Sequence, residues 1–295
     1  MWLNAMDAEF DSSFFIGAML DCLNGFSSVF ILAFGLYIVY GLFKVINMAH
    51  GEMVMLGAYV ASVSQESGYP FIVAVLCAGL SGGIIAFAMD WLCIRRLPER
   101  SSMSSLLATW GFGLIIAQGV RLYFGSAGRF VNPPVSGRID IFGVPLPTYQ
   151  AILFAVSLIL LLQSWWLLGR TQLGLRIRAS IDNPLLAELN GINTQRLFVL
   201  SFVVGGAFAG MAGALLAPIS AIDPTVGTAN SVTSFLVVIT GGVGQIFSVL
   251  FGSAVVGGLR SLINSFWGIT TATLGMLAIV AIILVLRRRS ALLND

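Results

Sequence analysis

Apolar residues in this chain run on for twenty positions or more between short polar breaks. They neither alternate nor keep to one stripe of a short helix. A helix needs about 20 apolar residues to cross a bilayer. On that measure the pattern predicts membrane spans near residues 14–41, 71–94, 105–125, 149–168, 197–222 and 266–286. Two further apolar stretches, near 45–64 and 231–262, are interrupted by Gly and polar residues and are predicted to be broken or re-entrant. Such backbone is tolerated at membrane depth only where protein buries it or a wet cavity solvates it. The expected fold class is an all-α polytopic helical bundle, with residues 1–295 forming a single transmembrane domain.

Composition supports the same picture. Soluble domains carry about 25% charged residues; this 295-residue chain carries 9%, against 58% hydrophobic. A water-facing shell and a disordered chain are both excluded. A net charge of +2 gives no basic face for nucleic acid. The 33 glycines and 21 phenylalanines suit helices packed closely in lipid. Cys22, Cys77 and Cys93 lie in apolar runs without CxxC pairing, and the chain has a single His, so no metal site is expected. No GxxxxGK[ST] loop is present for nucleotide, and no basic residue precedes the first apolar stretch as a signal peptide requires.

Arg95, Arg96 and Arg100 form one basic cluster, Arg170, Arg176, Arg178 and Arg196 a second, and Arg287, Arg288 and Arg289 a third; with Lys44 they account for most of the 15 Lys and Arg residues. Placing them all in the cytoplasm by the positive-inside rule puts the N-terminus outside, together with the 65–70, 126–148 and 223–230 loops. The chain must then cross an odd number of times between residues 230 and 287. One full span plus a re-entrant pair satisfies this, and so do three short crossings. The external 126–148 loop, with Pro133, Pro134, Pro145 and Pro147, is expected to be a short ordered flap.

Three segments carry candidate chemistry. In the cytoplasmic loop 170–196, Asp182 or Asn183 can cap a short helix that has Pro184 as its first residue. Leu185, Leu186 and Leu189 fall on one side of it, with Ala187 and Glu188 between them, and Asn190-Gly191 is a plausible left-handed stop. On pattern alone this is either a docking element for a partner's groove or an interfacial helix on lipid headgroups beside Arg176 and Arg178. In the second segment, Asn47, His50 and Glu52 interrupt an apolar stretch. Gly51 either breaks the helix and lets His50 and Glu52 reach a pathway, or the pair anchors the span near its cytoplasmic end. The third holds Gly241, Gly242 and Gly244, too many glycines for a good helix centre. A break there frees backbone groups for a small polar solute, with Thr240 and Gln245 adjacent. Gly205, Gly206, Gly210, Gly213, Gly252 and Gly257 are read as close helix contacts. Among weaker polar signals, Thr109 and Trp110 sit early in one span, Asp21 and Asn24 lie in the first, and Asp90 is expected to pair near Arg95.

Residues 46–60 (INMAHGEMVMLGAYV), 191–216 (GINTQRLFVLSFVVGGAFAGMAGALL) and 235–247 (FLVVITGGVGQIF) resemble, in order, the permease subunits of bacterial branched-chain amino acid-type ABC importers. That resemblance implies a multi-pass inner-membrane permease domain without catalytic residues. It also implies a second homologous permease as heterodimer partner, two cytoplasmic ATPase subunits carrying the ATP and Mg, and a periplasmic binding protein. The family's coupling helix maps to about 182–191, which favours the docking reading. Residues 106–126, with Ala108-Thr109-Trp110-Gly111, are similar to the urea permeases of the family. Urea or a short amide is therefore the expected solute, with a branched-chain amino acid as the alternative inside the family and a stand-alone urea channel as the alternative outside it. Urea needs its water hydrogen bonds replaced. Thr109, Thr240, Gln245 and the carbonyls near Gly241–Gly244 are the expected partners. An amino acid needs charge partners, for which His50 and Glu52 are the candidates.

Overall fold

The computed structural model describes residues 12–41, 45–97, 102–242 and 246–292. Helix α1 (Ser12–Leu36) widens into a π-helical turn at Tyr37–Gly41. After an irregular stretch at 45–49 come α2 (His50–Glu66) and α3 (Phe71–Leu92), the latter starting directly after Pro70. Helix α4 spans Ser102–Phe124. A β-hairpin follows, β1 (Arg138–Ile141) antiparallel to β2 (Val144–Pro147), with Phe142 and Gly143 both at positive φ in the tight turn between them. Helix α5 (Thr148–Arg170) leads into two short helices, α6 (Gln172–Asp182) and α7 (Pro184–Leu189), and then α8 (Thr194–Leu216). The chain ends with α9 (Val226–Gly241), α10 (Ile246–Ser253), a π-helical stretch Ala254–Leu259, and α11 (Arg260–Leu292).

Among the described residues, six helical segments are long and apolar enough to cross a membrane, and they overlap the predicted spans. The last of them, Phe247–Arg287, is not one rod. Gly268 has φ 80° and ψ 169°, and the chain reverses there. A Cβ on Gly275 would lie 3.3 Å from Ile263 Cδ1, across the turn. The Arg287 guanidinium returns to donate to the Gly241 carbonyl at 2.6 Å, beside the start of α10. Residues 226–287 therefore make three legs, the second of the two arrangements left open by charge counting. The other predicted break is also relocated. Gly51 does not interrupt a helix; it lies in the first turn of α2, and the irregular backbone precedes it at 45–49. Its lack of a side chain serves contact instead, because a Cβ there would lie 1.9 Å from the Gly227 carbonyl.

Helix α8 is the centre of the bundle. Its glycines let three neighbours touch backbone to backbone. A Cβ on Gly205 would meet the Gly35 carbonyl of α1 at 2.8 Å, one on Gly210 the Ala78 carbonyl of α3 at 2.0 Å, and one on Gly213 the Val54 carbonyl of α2 at 1.8 Å. This is the small-residue packing the glycine spacing predicts. On the other flank of α1, Gly25 and Gly257 meet in the same way. Exposed side chains on the outer helices α3, α4 and α5 are mainly Leu, Ile, Phe and Trp, as a lipid-facing surface requires.

Basic residues gather at one end, where Arg95 and Arg196 line a common hollow and Arg287 closes on Gly241. At this end Asp90, fully buried, accepts from Arg95 Nε at 3.0 Å and its terminal nitrogen at 2.7 Å, the pairing expected from sequence. Arg95 is one-third exposed and can fall back on water, so Asp90→Ala is expected to cost about 1–3 kcal/mol, the range for a lost hydrogen-bond partner. The measurement is thermal unfolding in detergent; an unchanged Tm would show the pair to be dispensable. At the opposite end Glu66 pairs with Arg129 at 2.8 Å, and Arg129 bridges to Ile222, so the loop before the hairpin closes over the tops of α2 and α8.

Candidate functional site

The first turn of α2 does not sit at a membrane surface. His50 Nε2 donates to the Leu32 carbonyl at 2.9 Å, about nine residues, or roughly 13 Å, inside the end of α1 at Gly41. Gly113, well inside α4, packs on Ala49 and Glu52. The first turn of α9 reaches the same depth, since a Cβ on Gly227 would lie 2.0 Å from Glu52 Oε2. From this level α2 runs toward the Glu66–Arg129 end and α9 toward Arg287. Two helices thus begin inside the bundle, with their N-termini together.

A buried helix start leaves backbone N–H groups to satisfy, and here side chains supply the acceptors. Asn47 Oδ1 accepts from Ala49 N at 3.1 Å. Ser231 Oγ accepts from Gly51 N at 2.9 Å and donates to the Met48 carbonyl at 3.1 Å, which pins α9 to α2. Thr109 Oγ1 accepts from Met48 N at 3.0 Å and lies within donating reach of the Leu106 and Ile46 carbonyls. The N–H groups of Met48, Ala49, His50 and Gly51, at the start of α2, are thus all taken.

The free capacity of this joint is an acceptor. Glu52 is 7% exposed; Oε1 accepts from the Thr228 hydroxyl at 3.3 Å, while Oε2 has no partner among the described residues. An ammonium or amide N–H donor suits it. At the outer approach to α9, the hydroxyl and then the amide of Thr225 donate to the Asp223 carboxyl and hold it below the usual carboxylate range.

The sequence-predicted pathway residues divide into separate groups. Glu52 and Thr109 are at the joint, but Thr109 has its hydroxyl committed to backbone. His50 is buried against α1 and acts as a staple between helices. Trp110, next to Thr109 on α4, is 53% exposed. Thr240, Gly241 and Gly242 lie at the far end of α9, about 21 Å from Gly227. The helix does break there, at Gly242 with φ 93°. Two of the carbonyls there are occupied, because Arg287 donates to Gly241 at 2.6 Å and approaches Ile239 at 3.4 Å. A Cβ on Gly241 would lie 1.8 Å from the Ser248 carbonyl, so this glycine permits the α9–α10 hairpin. Thr240 is buried without a hydrogen-bond partner among the described residues. Gly244 and Gln245 lie outside the described residues. Gly227, Thr228 and Ser231 are the joint residues that sequence reasoning missed; the polar run at 228–231 was their only signal.

The second candidate feature is the α6–α7 segment at the basic end. Asn183, not Asp182, caps α7, its Oδ1 accepting from Leu186 N at 3.0 Å, with Pro184 as first residue. Gly191, at φ 80°, ends the segment in the left-handed conformation. Ala187 is buried, and Glu188 accepts a hydrogen bond from Thr194 at the start of α8. Leu185, Leu186 and Leu189 are 68%, 54% and 75% exposed, forming an apolar face without cover from this chain. Arg176 and Arg178 are exposed on α6. On the inner side of α6, Leu173 and Ile177 share a cavity of about 260 Å³ with Tyr37 and Ile38 of the π turn. Movement of this segment therefore bears on the end of α1, just before the irregular stretch that enters the joint.

Named relatives share this arrangement of sequence. The high-affinity branched-chain amino acid transport system permease protein LivH of Escherichia coli K12 is 29% identical over 269 residues, covering 86% of this chain and 87% of the relative. The probable branched-chain amino acid transport permease protein LivH of Methanocaldococcus jannaschii is 29% identical over 249 residues, 79% of this chain and 76% of the relative. The fructose import permease protein FrcC of Rhizobium meliloti is 26% identical over 260 residues, 80% and 69% of the two chains. No solved structure matches the chain. The model of the family described as branched-chain amino acid transport system, permease component, matches residues 18–286. With that match running from α1 to the last turns of α11, this multi-pass membrane protein belongs to the branched-chain amino acid transport permease family of ABC importers.

Proposed function

We propose that this permease forms half of the inner-membrane pathway of an ATP-driven importer for an amino acid with a branched aliphatic side chain. The family match over residues 18–286 carries the reading, and relatives with that printed cargo support it. The expected urea or short-amide cargo loses its main support at Ala108–Gly111. There the Thr109 hydroxyl is committed to Met48 and its neighbours, and at the far end of α9 the carbonyls of Ile239 and Gly241 are taken by Arg287. Glu52 keeps an unpaired acceptor oxygen at the joint, which suits an ammonium group.

The complex contains a second homologous permease, two cytoplasmic ATPase subunits that hold ATP and Mg, and an external binding protein that delivers solute. The chain itself uses no cofactor. Work enters through α7 and its exposed leucines and biases an inward/outward equilibrium of the joint. Uptake of labelled leucine, valine and urea by cells expressing the complex tests the cargo. Saturable leucine or valine accumulation that excess urea does not inhibit is expected. Accumulation of urea alone would overturn the amino-acid reading and restore the urea one.

A further inference from the structure

Arg260 belongs to none of the three basic clusters. It lies in the second of the three C-terminal legs, eight residues before the reversal at Gly268, or roughly 12 Å deep along the helix. Trp267, 68% exposed, marks the level at which an interfacial aromatic anchors the leg. Arginine within a span is expensive unless something answers its charge. Among the described residues Arg260 makes neither an ion pair nor a hydrogen bond.

Its side chain lines a cavity of about 220 Å³ between α1 and the last two legs. Ser28, Ser261 and Asn264 line the same cavity, and none of their side chains has a hydrogen-bond partner among the described residues. The contrast with Ser27 is informative. One position earlier on α1, its hydroxyl donates to the Leu23 carbonyl at 2.7 Å, as serines in apolar helices commonly do. The π-helical stretch Ala254–Leu259 delivers Arg260 to this place, and π turns recur at functional sites. It also seats Gly257 on Gly25, where a Cβ would lie 2.3 Å from the Gly25 carbonyl. One turn outward, Asp21 accepts from Ser265 at 3.2 Å and places a carboxylate on the approach to the cavity.

We infer that Arg260, Ser28, Ser261 and Asn264 form a receiving pocket for the anionic end of a zwitterion, with Asp21 facing its ammonium group. Guanidinium presents a planar fork that matches a carboxylate or a phosphate diester. The hydroxyls and the amide complete the shell. A free dianion is disfavoured by Asp21, and a neutral solute leaves the arginine unanswered. Two sources carry this chemistry: an α-amino acid passing through, and the headgroup of phosphatidylethanolamine. The first source rests on the transport reading above; the second does not.

The test uses the whole complex, purified into nanodiscs of phosphatidylcholine with or without phosphatidylethanolamine. Labelled leucine binding and retained phosphatidylethanolamine are both measured for wild type and Arg260→Gln. A loss of about tenfold or more in leucine affinity, with the carboxylate-free analogue leucinamide bound equally weakly by both proteins, assigns the pocket to the amino acid. Unchanged leucine binding with a comparable loss of retained phosphatidylethanolamine assigns it to the lipid. Wild-type values in both measurements overturn the inference and leave a merely hydrated arginine. A wild-type complex that binds no leucine contradicts the transport reading, while the lipid measurement still decides the pocket. Should Arg260→Gln fail to assemble, the double variant Ser28→Ala with Asn264→Ala keeps the charge and is read by the same outcomes.

Discussion

Gly210→Leu is expected to remove folded protein from the membrane. A Cβ at that position would lie 2.0 Å from the Ala78 carbonyl oxygen and 2.8 Å from its carbon, so the obstacle is backbone, not a side chain that can rotate away. Relief requires α3 and α8 to separate along a seam that also holds Gly82 against the Gly206 carbonyl. Separation there would pull α8 away from the Gly213–Val54 contact with α2 as well. Overpacking a well-filled site costs about 1–3 kcal/mol when the surroundings can give. Here they cannot, and the loss is expected to exceed that range. Gly119→Leu is the control: it lies exposed on α4 with nothing within 4 Å of its Cβ position. Size-exclusion profiles of fluorescently tagged variants should show no monodisperse peak for the first and a near-normal one for the second. Equal profiles would mean that α8 is not the centre of the bundle.

The second large effect is expected at α7. Replacing Leu185, Leu186 and Leu189 together by Ser should leave the permease folded yet abolish ATP-driven uptake. These side chains are more than half exposed, and α7 is held by other means: the Asn183 cap, buried Ala187 and the Glu188–Thr194 hydrogen bond. Surface changes of this kind move stability little. Burying each leucine in a partner's groove contributes roughly 1.5–3 kcal/mol, so losing three weakens docking by well over about a hundredfold. Copurification of the ATPase subunits and leucine uptake in proteoliposomes should both collapse, with permease yield unchanged. Full uptake by the triple variant would remove α7 from the coupling role.

Much of this was legible beforehand because the local physics is strong. Long apolar runs place the spans, and Asn183, Pro184 and Gly191 mark the cap, first residue and stop of α7. What stayed hidden depends on contacts between distant segments. Gly51 reads as a helix breaker because a sequence shows conformational freedom and not the carbonyl that a glycine lets in. Thr109 read as a solute ligand because its hydroxyl is visible and the Met48 N–H it satisfies is not. The reversal at Gly268 falls just inside a stretch that reads as one span from 266 to 286, where a single glycine is weak punctuation. The Phe142-Gly143 hairpin turn was obscured by the neighbouring prolines. Arg260 is inconspicuous for the opposite reason: one basic residue in an apolar leg contributes nothing to a count of cytoplasmic clusters.

Solute flux into proteoliposomes tests most directly whether this permease is half of a powered importer. The full complex, with loaded binding protein outside and ATP on the cytoplasmic face, should accumulate leucine above its external concentration, and the chain reconstituted alone should show no flux. Equilibration of solute by the isolated chain, with no dependence on nucleotide, would contradict the account.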